Sequence, residues 1–361
     1  MPSFLRAISL VERTTFGVGG SADYFSEISD EDDLERSIDF AQSKEIPFFV
    51  LGSGSNVLIS DAGFRGLVIH TAILRYEDTL GETCVRISVG AGEIWDDVVA
   101  RSVSSGWSGL ECLSGIPGTV GAAPVQNIGA YGVSVAPYVV TVRAYDTQKG
   151  IFVEFEREEC AFGYRESMFK RSGGRYIISR VTCELQRKKD IQLPAYHDIQ
   201  NYFSDQKKEV SSQTVRAAVL DIRKKKGMVI PSEGDFLKTA GSFFKNPVVS
   251  QREYEIISQK IDIQEQQAHQ PWFWKLPEEK IKIAAAFLME QAGFKKGYRI
   301  GKVGLSSYHA LALVNYGGAS ARDIVSLARE IQNKVFQKYG VILEPEVQCI
   351  GFDEYPFLKI Y

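Results

Sequence analysis

Two stretches of this chain are suited to backbone chemistry rather than side-chain chemistry. Residues 52–56 read GSGSN, and residues 109–137, GLECLSGIPGTVGAAPVQNIGAYGVSVAP, are dense in Gly, Ala, Pro and Asn and poor in charge. Glycine lets a chain take positive φ and lets other atoms come close to its main chain. Concave runs of exposed N–H groups bind phosphate oxygens without any basic side chain. Two such runs in one chain suit a pyrophosphate, although each, taken alone, reads equally well as a tight turn.

A dinucleotide fingerprint of the Rossmann kind fits poorly. GVGG (17–20) follows no strand, and GSGSN is followed by Val57, Leu58 and Ile59 rather than by an amphipathic helix start. GAG (90–92) has a strand before it and a helix after it, but Trp95 stands where the third glycine belongs and Glu111 is badly spaced for a ribose acid. The five cysteines (Cys84, Cys112, Cys160, Cys183, Cys349) form no C-x-x-C pair and the four histidines are scattered, so neither a disulfide framework nor a metal site is expected. A reducing cytoplasm fits that usage.

Net charge is −3, from 42 basic and 45 acidic residues, which gives no reason to expect a polyanionic partner. The one basic run, RKKK (223–226), suits a helix C-terminus, where cations are favoured. Met1–Leu10 lacks the apolar core and cleavage site of a signal peptide, and no window is long enough to span a membrane. A soluble, cytosolic protein with no nucleic-acid or membrane partner is expected.

The elements that must carry the loops change character along the chain. Residues 30–44 begin with acids and candidate caps and then show helical spacing at Leu34, Ile38 and Ala41, between apolar runs at 48–51 and 67–69. Extended segments are expected at 84–89, 138–145, 151–155 and 175–185, with a helix at 94–104. After residue 210 helical periodicity dominates, at 213–226, 250–261, 278–291 and 320–338. Strands at 309–315 and 346–350 accompany these helices, and the last strand is a candidate to return to the start of the chain. The aromatic-rich stretch 269–277 reads as a loop packed on its own domain. The fold class expected is α+β.

Six ordered segments resemble one known family. TTFGVGGSADYF (14–25), LGSGSNVLISDAGFRGLVI (51–69) and GIPGTVGAAPVQNIGAYG (115–132) resemble the FAD-binding fold of the vanillyl-alcohol-oxidase type, in particular UDP-N-acetylenolpyruvoylglucosamine reductase. FGYRESMFK (162–170), AGSFFKNP (240–247) and LEPEV (343–347) match that family's further signatures in order. The resemblance implies a two-part FAD-binding fold plus a helix-rich α+β substrate domain. Residues 1–73 with 342–361 would form the first FAD subdomain, 74–210 the second, and 211–341 the substrate domain.

It also implies non-covalent FAD, NADPH as hydride donor, and reduction of UDP-N-acetylglucosamine-enolpyruvate to UDP-N-acetylmuramate for peptidoglycan, by a monomer. The cofactor would contact Gly52, Ser53, Gly54, Ser55 and Asn56 in the first loop. In the second it would contact Gly115, Ile116, Pro117, Gly118, Gly121, Ala122, Ala123, Gln126, Asn127, Gly129 and Ala130.

Arg165 would clamp the substrate carboxylate, since a guanidinium fork matches that geometry. Ser242 would protonate the carbanion-like centre, and Glu346 would polarise the same intermediate, as the neutral acid if burial raises its pKa. Nothing in the residues alone singles out Ser242. Glu344 and Glu346 are two apart, so a strand would put both on one face, and only the motif favours Glu346. Tyr131, Tyr164, Tyr196, Lys226, Asn246 and Gln291 would contact the substrate, with Arg223 a further candidate; no metal is implied.

Two departures from the family pattern stand out. GMVIPSEGDFLKTAGS follows Lys226 where a shorter turn is usual, and Ala122 replaces a glycine, which requires negative φ there. The alternative reading, an FAD oxidase or dehydrogenase on another substrate, would keep the glycine loops without needing the GYRES, AGSFF and LEPEV segments together.

Overall fold

The computed structural model describes residues 3–187, 191–206, 209–228, 237–268 and 271–358, with side chains for all of these except 205–206 and 266–268. The chain divides into two compact units. The first comprises Met1–Ile8, Ala22–Gly54 and Arg65–Ser232, and the second Ser9–Ser21, Ser55–Phe64 and Glu233–Tyr361.

The first unit holds two sheets. One has four strands in the order Leu5–Ser9, Ser21–Ile28, Phe64–Thr71, Phe48–Leu51, with the last two parallel in the register Phe48↔Leu67 to Leu51↔His70. The helix Glu31–Ser43 covers it. Asp30 caps that helix by accepting from the Asp33 amide at 2.7 Å, and Glu31, Asp32 and Asp33 place negative charge at the positive end of the helix dipole. Its Leu34, Ile38 and Ala41 recur at helical spacing and pack on Ile28, Leu67 and Ile69.

The second sheet is antiparallel, in the order Ile151–Glu156, Val139–Asp146, Tyr176–Gln186, Cys84–Gly90, Tyr76–Leu80. Val85, Ile87 and Val89 alternate into the core, where Val98, Val99 and Val103 of the helix Trp95–Ser104 meet them. Each such burial contributes about 1.5–3 kcal/mol. The Arg143 guanidinium grips Glu31 at 2.8 and 2.9 Å, and Ser179 adds a bond at 2.7 Å, so the Glu31–Ser43 helix is tied to the second sheet.

The helix Ser212–Lys225 also belongs to this unit, although the sequence segments grouped it with the substrate domain. Its Val215, Ala218, Val219 and Ile222 share an apolar cluster with Tyr131, Tyr196, Ile199 and Tyr202. Tyr202 also donates to Asp221 at 2.7 Å.

In the second unit the helix Ala321–Tyr339 follows the expected span closely. Ser320 and Asp323 form a capping box, Asp61 accepts from the Ala321 and Arg322 amides at 2.7 and 3.0 Å, and Gly340 ends the helix at φ 75°. The C-terminal strand Gln348–Ile350 runs parallel to Val57–Ile59.

Three expectations are corrected here. Residues 278–291 are not one helix: Glu278 and Glu279 take φ 57° and 52° in a hairpin turn after Pro277, Lys280–Ile283 is a strand, and only Ala285–Gln291 is helical. The alternation Lys-Ile-Lys-Ile has period two, and that pattern prevails over the helical reading. Phe273–Leu276, read as loop, is the partner strand, and Trp272 is buried against Tyr254 and Phe287. The strand expected at 309–315 shortens to Leu313–Asn315, after a turn closed by Ala312 N–H to the His309 carbonyl. Residues 269–270, and 229–236 of the segment after Lys226, lie outside the described residues.

Candidate active site

The strand Phe48–Leu51 leads into Gly52, where a Cβ would lie 2.7 Å from Thr119 Oγ1, so a larger residue would push against the Thr119 side chain of the second loop. Gly54 is buried at φ 66°. In the second loop Gly115 and Gly118 take φ 69° and 136°. Val120 and Gly121 give their amides to the Glu93 and Ala91 carbonyls, which fixes the loop against the end of the strand Cys84–Gly90. Ala122 lies in the short 3₁₀ turn Val120–Ala122 and is not among the positive-φ residues, so the backbone meets the condition its methyl imposes.

The amides of Gly54, Ile116 and Gly118 donate to no acceptor among the described residues. Amides left unspent on glycine-rich, partly buried backbone are what a phosphate-bearing cofactor needs. The residues therefore fit FAD. A separate cavity of about 540 Å³, between Ser29–Glu31, Ile73–Arg75, Gly90, Arg143 and Ser179–Arg180, contains none of the expected site residues.

The GYRES segment is docked onto this loop by three contacts. Asn127 Nδ2 donates to the Gly163 carbonyl at 2.9 Å, Ser167 Oγ donates to the Val125 carbonyl at 2.5 Å, and Arg165 Nη2 donates to the Gly129 carbonyl at 2.8 Å. Arg165 itself sits at φ 55°, as Asn127 does at 45° and Tyr131 at 52°. Left-handed backbone is costly for Arg and Tyr, and such strain persists only where surroundings over-determine it. Tyr164, beside Arg165, is half exposed.

Tyr131, Tyr196 and Lys226 gather at one place in the first unit. The two tyrosine rings meet edge to face at 5.4 Å, and Lys226 Nζ lies 6.0 Å from the Tyr131 ring centroid. Burial pushes the Tyr131 phenol up to about 12 and raises that of Tyr196. Lys226 is the C-cap of the helix Ser212–Lys225 and pairs with Asp198 at 2.5 Å. The sequence offered no sign of Asp198, which stands two residues after Tyr196 in the first turn of the helix His197–Gln206.

In the second unit, the segment 242–245 is stitched on both sides. Ser242 bridges Ala312, Phe243 donates to the Leu311 carbonyl at 2.8 Å, the Glu346 amide donates to the Phe243 carbonyl at 2.7 Å, and Lys245 donates to the Glu344 carbonyl at 2.9 Å. Phe243 and Phe244 are wholly buried. Among the described residues no group hydrogen-bonds to the Ser242 hydroxyl.

The two glutamates separate. Glu344 is exposed and pairs with Lys245 at 2.7 Å, whereas Glu346 is half-buried. The Glu346 carbonyl also accepts from Asn56 Nδ2 at 3.3 Å, so the last residue of GSGSN holds the backbone of Glu346 directly. Asn246 uses its Oδ1 to accept from the Ala285 amide at 2.9 Å, at the start of the Ala285–Gln291 helix. Gln291 turns its amide to Glu265 at 3.0 Å.

The FAD-binding domain family matches residues 22–156, and loops with unspent amides on this two-sheet unit suit the pyrophosphate of such a flavin-binding oxidoreductase. The C-terminal domain of UDP-N-acetylenolpyruvoylglucosamine reductase matches residues 232–350. UDP-N-acetylenolpyruvoylglucosamine reductase from Thermobifida fusca is 39% identical, over 97% of this chain and 98% of its own length. That from Pseudomonas putida is 39% identical, over 94% and 96%. A crystal structure of the corresponding enzyme from Thermus caldophilus superposes with a TM-score of 0.65 at 27% identity, covering 97% of this chain and all of that one. The chain belongs to the UDP-N-acetylenolpyruvoylglucosamine reductase family.

Proposed function

We infer that this chain uses FAD and NADPH to reduce UDP-N-acetylglucosamine-enolpyruvate to UDP-N-acetylmuramate, a step of peptidoglycan precursor synthesis. When bound, FAD supplies the relay by which the hydride of NADPH reaches the methylene carbon of the enolpyruvyl group. Negative charge then develops on the carbon beside the carboxylate, and one proton must be added there.

The observation that carries the residue assignment is the Ser242 hydroxyl. Its backbone is pinned on both edges, yet the hydroxyl has no hydrogen-bond partner among the described residues. Ser242 gives its proton to the carbon. Serine is a weak acid, so the step requires that the charge be held elsewhere as it develops. Arg165 holds the carboxylate as a cationic fork, and Glu346 polarises the same intermediate. Glu344, engaged by Lys245 at the surface, has no part in the reaction.

Lys226 holds the diphosphate, with Tyr131, Tyr164, Tyr196, Asn246 and Gln291 completing the substrate contacts. Because Lys226 is paired with Asp198, an arriving diphosphate must exchange with that carboxylate. The same reading has the enzyme act in the cytoplasm as a monomer. All five cysteines are unpaired, which agrees with a reducing compartment. No helix among the described residues is long and apolar enough to cross a membrane.

The test is NADPH oxidation by the purified flavoprotein with and without UDP-N-acetylglucosamine-enolpyruvate. Oxidation that depends on this substrate and yields UDP-N-acetylmuramate is expected. A yellow protein that oxidises NADPH at the same rate without it would instead be an oxidase of the same fold.

A further inference from the structure

The first residue of the second glycine-rich loop is held by groups outside the loop. Gly115 donates its amide to Asp96 Oδ1 at 2.6 Å, and its carbonyl accepts from Arg223 Nε at 3.2 Å. Asp96 is in turn gripped by Arg216, at 2.6 Å to Oδ1 and 2.9 Å to Oδ2. Arg216, Leu220 and Arg223 stand at i, i+4 and i+7 and so share one face of the helix Ser212–Lys225. A Cβ on Gly115 would lie 2.9 Å from Leu220 Cδ2 and 3.2 Å from Arg223 Nε, and the residue is at φ 69°. A side chain there would have to displace the Leu220 methyl and hold left-handed backbone, which favours glycine.

Burial pushes the Asp96 carboxyl up, but the Arg216 guanidinium and the Gly115 amide outweigh it and hold the pKa below the usual carboxylate range. The group is therefore an ionised acceptor at neutral pH. It also stands in the first turn of the Trp95–Ser104 helix, where the dipole favours a negative charge.

The peptide joining Gly115 to Ile116 is planar and trans, so its C=O and N–H point in opposite directions. Arg223 takes the carbonyl, and the Ile116 amide is thereby aimed away from Arg223. That amide donates to nothing among the described residues.

We propose that Asp96 and Arg216 are positioning residues for the cofactor: by locking Gly115 between the two helices they aim the Ile116 amide at an anionic oxygen of the bound dinucleotide. The proposal rests on the reading of the Gly115–Tyr131 segment as the flavin loop. Neither residue is asked to touch the cofactor. The pair acts through one main-chain donor, set in place before the cofactor arrives.

The experiment measures FAD affinity by flavin fluorescence on the full chain stripped of flavin, for Asp96→Ala, Arg216→Lys and Gly52→Val, beside thermal unfolding of the flavin-free proteins. Asp96→Ala should raise the Kd for FAD tenfold or more and shift the bound flavin's visible absorption bands. Arg216→Lys keeps the charge but cannot make the two-pronged pair, and should raise Kd several-fold even if Asp96→Ala does not fold. A purely structural role would lower the melting temperature and leave Kd and spectrum of the folded fraction at wild-type values, which overturns the proposal. Gly52→Val tests the cradle itself. If it retains wild-type FAD affinity, the flavin-loop reading fails; if it loses FAD while Asp96→Ala and Arg216→Lys do not, only the positioning role fails.

Discussion

The two glycine-rich loops and the Ser242 segment achieve availability in opposite ways. Among the described residues the loops leave main-chain amides unspent, at Gly54, Ile116 and Gly118, and hold the surrounding backbone by contacts from outside. The Ser242 segment spends its main chain on both neighbours and leaves a side-chain hydroxyl without a partner among the described residues. The difference follows from the tasks proposed for them. Phosphate oxygens are satisfied by several weak donors at fixed spacing, whereas a proton must come from one atom whose position tolerates little error.

The sharpest way to break this comparison is at the two glutamates beside the Ser242 segment. Glu346→Gln should slow flavin reoxidation by substrate by on the order of 10² to 10⁴, the range for a lost acid–base group. Glu344→Gln, which removes only the surface pair with Lys245, should leave that rate unchanged and cost at most about 1 kcal/mol in thermal unfolding. Equal effects of the two would show that the Glu346 environment carries no special role. Arg165→Ala should slow the same half-reaction by on the order of 10² to 10³ while NADPH still reduces the flavin normally. If the NADPH half slows equally, Arg165 acts by holding the flavin loop through the Gly129 carbonyl rather than by holding substrate.

A smaller effect, of opposite sign, is expected at Lys226. On the proposed reading Asp198→Asn removes the carboxylate that a diphosphate would displace, so the Kd for UDP, read by calorimetry, should fall up to about fivefold, as befits a partly exposed pair. Weaker binding would mean that Asp198 positions Lys226 instead of competing for it.

The last effect concerns acid and is read in stability rather than in rate or affinity. Asp146, buried and gripped by Arg175 at 2.9 and 2.7 Å, has its pKa pulled down to about 2 by that pair. A carboxylate depressed on folding adds stability above its unfolded value near 4, and that stability is lost as pH falls through the folded one. Melting temperature should therefore be insensitive to this pair above about pH 5 and fall between about pH 4 and 2, a slope that Asp146→Asn should flatten.

Much of this was legible in the residues. The helix Ala321–Tyr339 announces itself through Ser320, Asp323, its apolar stripe and Gly340, because caps and periodicity are local signals. The two glycine loops declare their use of backbone, and Ala122 could even be assigned its sign of φ. What the sequence could not show are partners far apart along the chain. Asp96 reads as an ordinary acid in a helix first turn, and only folding brings Arg216 onto it. Glu344 and Glu346 are equivalent by spacing until Lys245 claims one and Asn56 anchors the backbone of the other. The hairpin at Glu278 and Glu279 was hidden because two left-handed glutamates carry no turn signature.

The most direct measurement is rapid mixing of Ser242→Ala, with its two half-reactions followed separately at the flavin absorbance. Reduction by NADPH should proceed at the wild-type rate, and reoxidation by UDP-N-acetylglucosamine-enolpyruvate should be slowed severely. If both halves slow together, or if reoxidation is untouched, Ser242 is not the residue that delivers the proton.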